Sequence, residues 1–180
     1  MKNSHTKYAI MGVITAGCRT GYSIKQMMDQ SLTHFWKISY GQIYPTLKQL
    51  VEERLATVED TFQDGKPDKK EYRLTEKGES ELHAWLQEPI EALHQEKNEL
   101  LLKLFFSGRQ SKESTLNHLT AYKEKLEGRL NTYTSIENGI LANGEGLEDA
   151  PYWLFTLDYG KRVTQAAMDW CDDTSSKLNQ

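Results

Sequence analysis

Four polar side chains of the segment 38–55 fall mostly on one side of a predicted helix: Tyr40, Gln42, Tyr44 and Lys48. Tyrosine, glutamine and lysine side chains reach phosphate oxygens and base edges through hydrogen bonds and ion pairs. The only acidic residues near them in the sequence follow at the far end of the segment. The chemistry that this pattern favours is the noncovalent binding of a polyanion.

The other side of the same segment is apolar. Its residues lie at helical spacings and are expected to face a core: Ile43, Leu47, Leu50, Val51 and Leu55. Ser39 is expected to cap the helix, because its hydroxyl can accept a hydrogen bond from an unpaired backbone N–H. Two interpretations fit the segment. It is the recognition helix of a winged helix-turn-helix, or an ordinary amphipathic helix with a solvated polar face.

Two further helices are predicted before this segment. The apolar run 8–18 is too short to span a membrane and is expected to form a buried first helix. Thr20 or Ser23 can cap a second helix over about 22–32. The residues 33–39 then form the predicted turn that leads into the polyanion-binding helix.

A β-hairpin is predicted after the helix, because the hydrophobic pattern changes there from helical to alternating. Residues 56–62 alternate and are rich in β-favoured types, and residues 70–74 form the expected return strand. The loop between them is dense in Gly, Pro, Asp and Lys. Such a hairpin could be the wing, with basic residues along a phosphate backbone or in a minor groove: Lys66, Lys69, Lys70 and Arg73. A lysine-rich hairpin tip that is merely solvated is the alternative.

The sequence divides at Glu88–Pro89. Thr75 is expected to cap a helix over 76–87, and a residue that precedes proline disfavours continued helix. We therefore predict two domains, a winged helix-turn-helix DNA-binding domain over 1–88 and a helical domain over 89–180 for dimerisation and possible effector binding. The predicted fold class is mainly α with a small β-hairpin.

Three helices are predicted in the second domain, over 90–106, 112–141 and 152–171. The middle one carries a coiled-coil-like seam of residues that recur every seven positions: Leu119, Leu126, Tyr133 and Ile140. The seam could pack within the chain or against a second copy. The length of the helix favours a second copy, because so small a domain offers little surface to cover both sides. The residues predicted for dimerisation are Leu119, Leu126, Leu130, Tyr133, Ile140, Tyr159, Val163 and Trp170.

The last predicted helix places its aromatic residues on one face. This face could line an inducer pocket between the domains, although aromatic stripes at helical spacing more often form plain packing surfaces. The candidate effector-binding residues are Phe105, Tyr152, Trp153 and Phe155.

Charge is unevenly distributed along the chain. The net charge of −4 by itself argues against a nucleic-acid partner, yet residues 1–51 carry six basic residues and a single acidic one. From residue 89 onward, ten basic residues stand against fourteen acidic ones. A basic front and an acidic rear suggest that one face meets phosphate and another does not.

Other functional classes lack their sequence signatures. The chain has no nucleophile elbow, P-loop or Rossmann glycine fingerprint, and its five histidines and two cysteines match no metal spacing. We therefore expect neither catalysis nor a bound cofactor or metal. No stretch approaches the roughly 18 apolar residues of a membrane span, and the start resembles no signal peptide. The cytoplasm is the expected compartment.

Three strings resemble the PadR family of bacterial transcriptional regulators: YAIMGVITAGCRTGYSI, SYGQIYPTLKQLVEERLATVE and GKPDKKEYRLTEKGESELHAWL. The second half is similar to the longer subgroup, which includes phenolic-acid-responsive repressors and AphA-type virulence regulators. That similarity rests on length, helical pattern and the segment EKNELLLKLFF.

The resemblance implies a homodimeric DNA binder, most often a repressor, whose C-terminal helices form the dimer and help to bind a small inducer. Its double-stranded target would be an inverted repeat with half-sites about one helical turn apart, or a multiple of it. The residues predicted to contact DNA are Tyr22, Lys25, Ser39, Tyr40, Gln42, Tyr44, Lys48, Lys66, Lys69 and Lys70. The alternative is a winged-helix module that docks a protein and binds DNA without sequence preference.

Overall fold

The computed structural model describes residues 4–32, 35–61, 69–91 and 97–180. Its elements are α1 (Ser4–Thr15), α2 (Gly21–Gln30), α3 (Tyr40–Glu52), β1 (Ala56–Thr61), β2 (Lys69–Leu74), α4 (Glu76–Gln87), α5 (Glu99–Phe105), α6 (Lys112–Asn143) and α7 (Ala150–Asn179). Contacts within the chain divide it into two units, Met1–Ala92 and Leu93–Gln180.

The first unit is a winged helix, in which three helices precede an antiparallel hairpin and a fourth helix. Strands β1 and β2 pair in register from Ala56 opposite Leu74 to Thr61 opposite Lys69. The core of this unit includes Ile10, Met11 and Ile24. Of the residues predicted as core from helical spacing, Ile43, Leu47, Leu50 and Leu55 are buried and Val51 is half-buried. Burial of each such side chain stabilises the fold by about 1.5–3 kcal/mol relative to an exposed one.

Side-chain hydrogen bonds fix the starts of α2 and α4. The Ser23 N–H donates to Thr20 Oγ1 at 3.1 Å, and the Thr20 N–H donates to Ser23 Oγ at 3.0 Å, which is a capping box. At the start of α4, the Gly78 N–H donates to Thr75 Oγ1 at 3.1 Å. Both predicted threonine caps are therefore present. Glycine is required at position 78, because an added Cβ would lie 2.1 Å from the Leu55 carbonyl oxygen.

Helix α3 ends in a tight, left-handed turn. The Leu55 N–H donates to the Leu50 carbonyl at 2.8 Å and the Arg54 N–H to the Val51 carbonyl at 3.0 Å. These two bonds form a Schellman motif, in which Arg54 has φ = 59°. The turn leads the chain directly from α3 into β1, so that the hairpin follows α3 after three residues.

The second unit is built on a long antiparallel pair of helices, α6 and α7. Ion pairs of Lys123 with Asp172 at 2.7 Å and of Glu137 with Lys161 at 2.6 Å fix this direction. Helix α5 packs on the pair, and the shared core consists of Leu100, Leu119, Leu126 and Cys171. Leu119, Leu126 and Tyr133 are buried by their own chain. The seam that these residues form therefore packs within the chain, which was one of the two alternatives for it.

The predicted fold class, mainly α with a small β-hairpin, is confirmed, but one helix is shorter than expected. The helix predicted over 90–106 spans only Glu99–Phe105, and Ile90, directly after Pro89, is not helical. Asn98 is the physical reason for the late start, because its Oδ1 accepts hydrogen bonds from the N–H groups of Leu100 and Leu101. The predicted strand end at Phe62 lies outside the described residues.

Candidate nucleic-acid interface

Two tyrosines and a lysine form the centre of the polar face of α3. Tyr40 and Tyr44 are 54% and 45% exposed, and their rings meet edge to face with centroids 5.6 Å apart. A hydrogen bond between them, followed by partial burial, raises the pKa of the Tyr44 phenol. The Nζ atom of Lys25, on α2, lies 5.7 Å from the centroid of the Tyr40 ring, within range of a cation–π contact. The two helices thus present one continuous aromatic and basic surface.

A glycine that the sequence did not single out makes this surface continuous. Gly21, the first residue of α2, is buried under Tyr44, and an added Cβ would lie 2.6 Å from a carbon of the tyrosine ring. The next residue, Tyr22, is 71% exposed. The signal for Gly21 was its place after the Thr20 cap, but the contact with Tyr44 depends on tertiary packing.

Gln42 has a structural role in addition to its predicted role in DNA binding. Its Oε1 atom accepts hydrogen bonds from the Ser39 N–H at 3.0 Å and from Ser39 Oγ at 2.9 Å, as the residue at the third position of a capped helix does. The Gln42 side chain is exposed, and the structure shows no partner for its Nε2 within the described residues. Its amide N–H groups are therefore its free donors, while its acceptor is already bonded.

Three of the predicted phosphate-binding lysines have an acidic partner. Lys25 pairs with Asp29 one turn later on α2. Lys48 lies 3.6 Å from Glu52 on α3, and Lys69 lies 3.3 Å from Glu71 on β2. Lys70 is exposed, and no ion pair is seen for it in the described ranges. Lys66 lies outside the described residues.

Backbone and side-chain contacts hold the wing and the end of α3 in place. The Tyr72 N–H donates to the Arg19 carbonyl at 2.7 Å, which ties β2 to the loop before α2. Lys7 forms ion pairs with Glu81 of α4 and with Glu53, the C-cap of α3. A hydrogen bond from Gln49, opposed by burial and assisted by Lys7, lowers the pKa of the Glu53 carboxyl.

The second unit exposes an apolar stripe on α7. Tyr152, Phe155 and Tyr159 are 66%, 68% and 71% exposed, and Val163 and Trp170 continue the stripe at helical spacing. Of the residues predicted for dimerisation, Tyr159, Val163 and Trp170 are therefore accessible, and Leu130 and Ile140 are half-buried. The three seam residues Leu119, Leu126 and Tyr133 are covered by their own chain.

The predicted effector-binding residues are only partly brought together. The rings of Tyr152 and Phe155 meet with centroids 6.2 Å apart, and Trp153 is half-buried. Phe105, on α5, is exposed and packs edge-on against Phe106. The two pockets of the second unit, of about 370 and 380 Å³, are open surface grooves lined by other residues.

The described His, Cys, Asp and Glu residues form no cluster of three or more that could hold a metal ion. Among the helices in these ranges, none combines the length and the apolar character needed to cross a membrane.

Matches to two known protein families together cover nearly all of both units. Residues 10–84 match the transcriptional regulator PadR-like family, and residues 96–179 match the family described as virulence activator alpha C-term. The negative transcriptional regulator PadR of Bacillus subtilis is 32% identical over 139 residues, which are 77% of this chain and 76% of that protein. The chain belongs to the PadR-like family. It is a transcriptional regulator with a winged helix, and the expectation that it is not an enzyme agrees with this family.

Solved structures of PadR-like proteins resemble both units. The structure of Bacillus subtilis PadR in complex with operator DNA matches with a TM-score of 0.85 and 28% identity, over 96% of this chain and 98% of that one. The same protein in complex with p-coumaric acid matches with a TM-score of 0.79 and 25% identity, over 97% and 98%. The Vibrio cholerae virulence activator AphA matches with a TM-score of 0.72 and 28% identity, over 96% and 97%.

Proposed function

We propose that this PadR-like regulator binds an inverted-repeat operator as a homodimer, represses transcription and is released by a small aromatic inducer. The observation that carries the proposal is the surface that α2 and α3 share, in which Tyr22, Tyr40, Tyr44 and Lys48 are exposed and Lys25 is half-buried. Bacillus subtilis PadR, a negative regulator solved with operator DNA, supports this function for the surface.

In this mechanism α3 enters a major groove and the wing lies along the neighbouring phosphates. The amide of Gln42 donates to a base edge, and the tyrosine hydroxyls reach phosphates or bases. Lys48 and Lys70 contribute ionic contacts that depend on salt and are indifferent to sequence. Selectivity therefore resides in α3, and most of the salt dependence resides in the lysines.

A second copy of the chain would cover the apolar stripe of α7. An aromatic stripe of this length is costly to leave in water, and burial of apolar surface yields about 25 cal/mol per Å². Two-fold symmetry would then place two recognition helices in successive turns of the same DNA face, with half-sites about 34 Å apart.

The proposed inducer is a small aromatic acid, because Bacillus subtilis PadR has been solved with p-coumaric acid. Tyr152, Trp153, Phe155 and Phe105 supply the aromatic side chains for it in this chain. Such a ligand weakens operator binding only to the extent that it binds the released state more tightly than the DNA-bound state.

Selection of genomic fragments by the purified protein, followed by sequencing, tests this proposal. Wild-type protein, Lys48→Glu and Lys125→Glu are compared, since Lys125 is also an exposed lysine but lies on α6. We expect wild type and Lys125→Glu to enrich the same inverted repeat near a promoter, and Lys48→Glu to lose it. Recovery of random fragments by all three proteins would overturn the proposal and favour a winged helix that docks a protein.

A further inference from the structure

The acidic partners of the DNA-facing lysines are arranged in a regular way. Asp29 and Glu52 each follow their lysine by one helical turn, and Glu71 follows its lysine by two residues on the same side of β2. All three pairs are solvent-exposed to some degree, and each lies within an element of the proposed DNA surface, on α2, α3 and β2 in turn.

An ion pair of this kind makes phosphate binding by its lysine less favourable. An exposed pair contributes little to the stability of the fold, so its role in folding is small. A phosphate that binds the lysine must nevertheless replace the carboxylate, which stays beside it as a like charge. The separation of such groups is shorter than the screening length of about 8 Å at physiological ionic strength, so the repulsion remains effective.

We propose that Asp29, Glu52 and Glu71 lower the sequence-independent part of the affinity for DNA by holding Lys25, Lys48 and Lys69 in these pairs. The inference rests on the proposed DNA-binding function and adds three residues to it that do not touch a base. The base-reading groups of α3 are not involved, so the carboxylates act on operator and random DNA alike.

Lys70 provides an internal comparison. It neighbours Lys69 on the same strand, is also exposed, and has no ion pair in the described part of the chain. Adjacent residues of a strand point to opposite faces, so each lysine is compared with itself. Lys69→Ala should reduce affinity more in the Glu71→Gln background than in wild type, whereas the effect of Lys70→Ala should be the same in both backgrounds.

The experiment measures binding of fluorescent operator and of random DNA by anisotropy over a range of salt concentrations. The variant Asp29→Asn/Glu52→Gln/Glu71→Gln is compared with wild type. The control Glu124→Gln/Glu145→Gln/Glu148→Gln changes net charge equally, at three exposed residues of the second unit with no ion pair in the described ranges. Thermal unfolding of each variant shows that it is folded.

We expect the triple variant to bind both DNAs more tightly by about tenfold, or about twofold for each pair, with their ratio unchanged. The logarithmic salt dependence should become steeper, by at most roughly 0.9 for each lysine that is freed. Affinities equal to those of wild type, or an equal gain in the control, would overturn the inference while leaving wild-type operator binding as it is. If wild type itself fails to bind DNA, the proposed function is what fails.

Discussion

Tyr44 lies over the first turn of α2, and the absence of a side chain at Gly21 gives its ring the room to do so. Tyr40 is in turn held between Tyr44 and Lys25. At the scale of single residues, the proposed DNA surface is therefore pre-organised, because its aromatic side chains contact one another before any DNA binds. Pre-organised side chains lose less conformational freedom on binding than mobile ones do.

Gly21→Ala tests this arrangement. The added methyl group would overlap the Tyr44 ring, so we expect operator affinity to fall by about tenfold, which corresponds to ~1.4 kcal/mol. Gly12→Ala is the matched control, since an added Cβ at this α1 residue meets no atom within 4 Å. The control should stabilise the fold by about 0.5–1 kcal/mol and leave binding unchanged. Wild-type affinity in a folded Gly21→Ala protein would show that the position of Tyr44 does not matter.

Gln42 combines a cap with a proposed base contact, and two substitutions separate these roles. Gln42→Ala removes both, so we expect a stability loss of about 1 kcal/mol and relaxed base selectivity. Gln42→Glu keeps an acceptor for Ser39 but lacks the amide donor, so stability should be close to that of wild type while operator affinity falls. Thermal unfolding and a binding-site selection measure the two effects. An unchanged preferred sequence in both variants would contradict the placement of α3 as the recognition helix.

At the scale of elements, the end of α3 is fixed by polar contacts from α1 and α4. Glu53 accepts from Gln49 Nε2 at 2.7 Å and pairs with Lys7, and its backbone carbonyl accepts from Lys77 Nζ at 2.9 Å. These contacts join three helices around one residue. Glu53 therefore holds the recognition helix relative to its own unit.

The lowered pKa of Glu53 gives this contact a defined pH dependence. A carboxyl with a lowered folded-state pKa stabilises the fold above its ordinary value of 4.5, and the contribution is lost as the pH falls through the folded-state pKa. We expect Glu53→Gln to melt at a lower temperature than wild type at neutral pH, with the difference shrinking as the pH falls below 4.5 and vanishing once the pH is below the folded-state pKa of Glu53. A difference of the same size at neutral and at acidic pH would mean that the charge of Glu53 does not stabilise the fold.

Local sequence patterns predicted the parts of the fold that short-range interactions determine. The Thr20 and Thr75 caps, the alternation of β1 and the apolar face of α3 each follow from residues close together in the chain. The sequence did not predict which surface packs against the α6 seam, because a heptad pattern is the same whether α7 or a second chain covers it. The contact of Tyr44 with Gly21 could not be predicted from local patterns either, since it joins two different helices.

The residue types of the candidate site could be predicted from the sequence. The contacts that these side chains already make within the fold could not. Spacing alone placed Tyr40, Gln42 and Lys48 on one face, and all three are exposed. The cap predicted at Ser39 gives the observed helix start at Tyr40, but the hydrogen bonds of Gln42 with Ser39 were not predicted, although serine followed three residues later by glutamine is a capping-box pattern. The effector-binding residues were predicted from aromatic composition, which does not determine where a cavity forms.

At the scale of the whole molecule, the exposed stripe of α7 is the surface best suited to a second copy. We expect Val163→Glu, which places a charge in the stripe, to convert a dimer into a monomer and to weaken operator binding. Gln165→Glu is the matched control, because it adds the same charge to an exposed residue two positions later. Sedimentation at micromolar protein concentration measures the oligomeric state of both variants. A dimer that survives Val163→Glu would place the interface elsewhere.

Two copies of the α2–α3 surface read one operator in the proposed mechanism, and a hydroxyl-radical footprint on a selected genomic fragment shows whether they do. We expect two protected patches related by two-fold symmetry, about 10 base pairs or a multiple of that apart, on one face of the DNA. A single protected patch, or uniform protection that does not depend on the fragment, would contradict this mechanism.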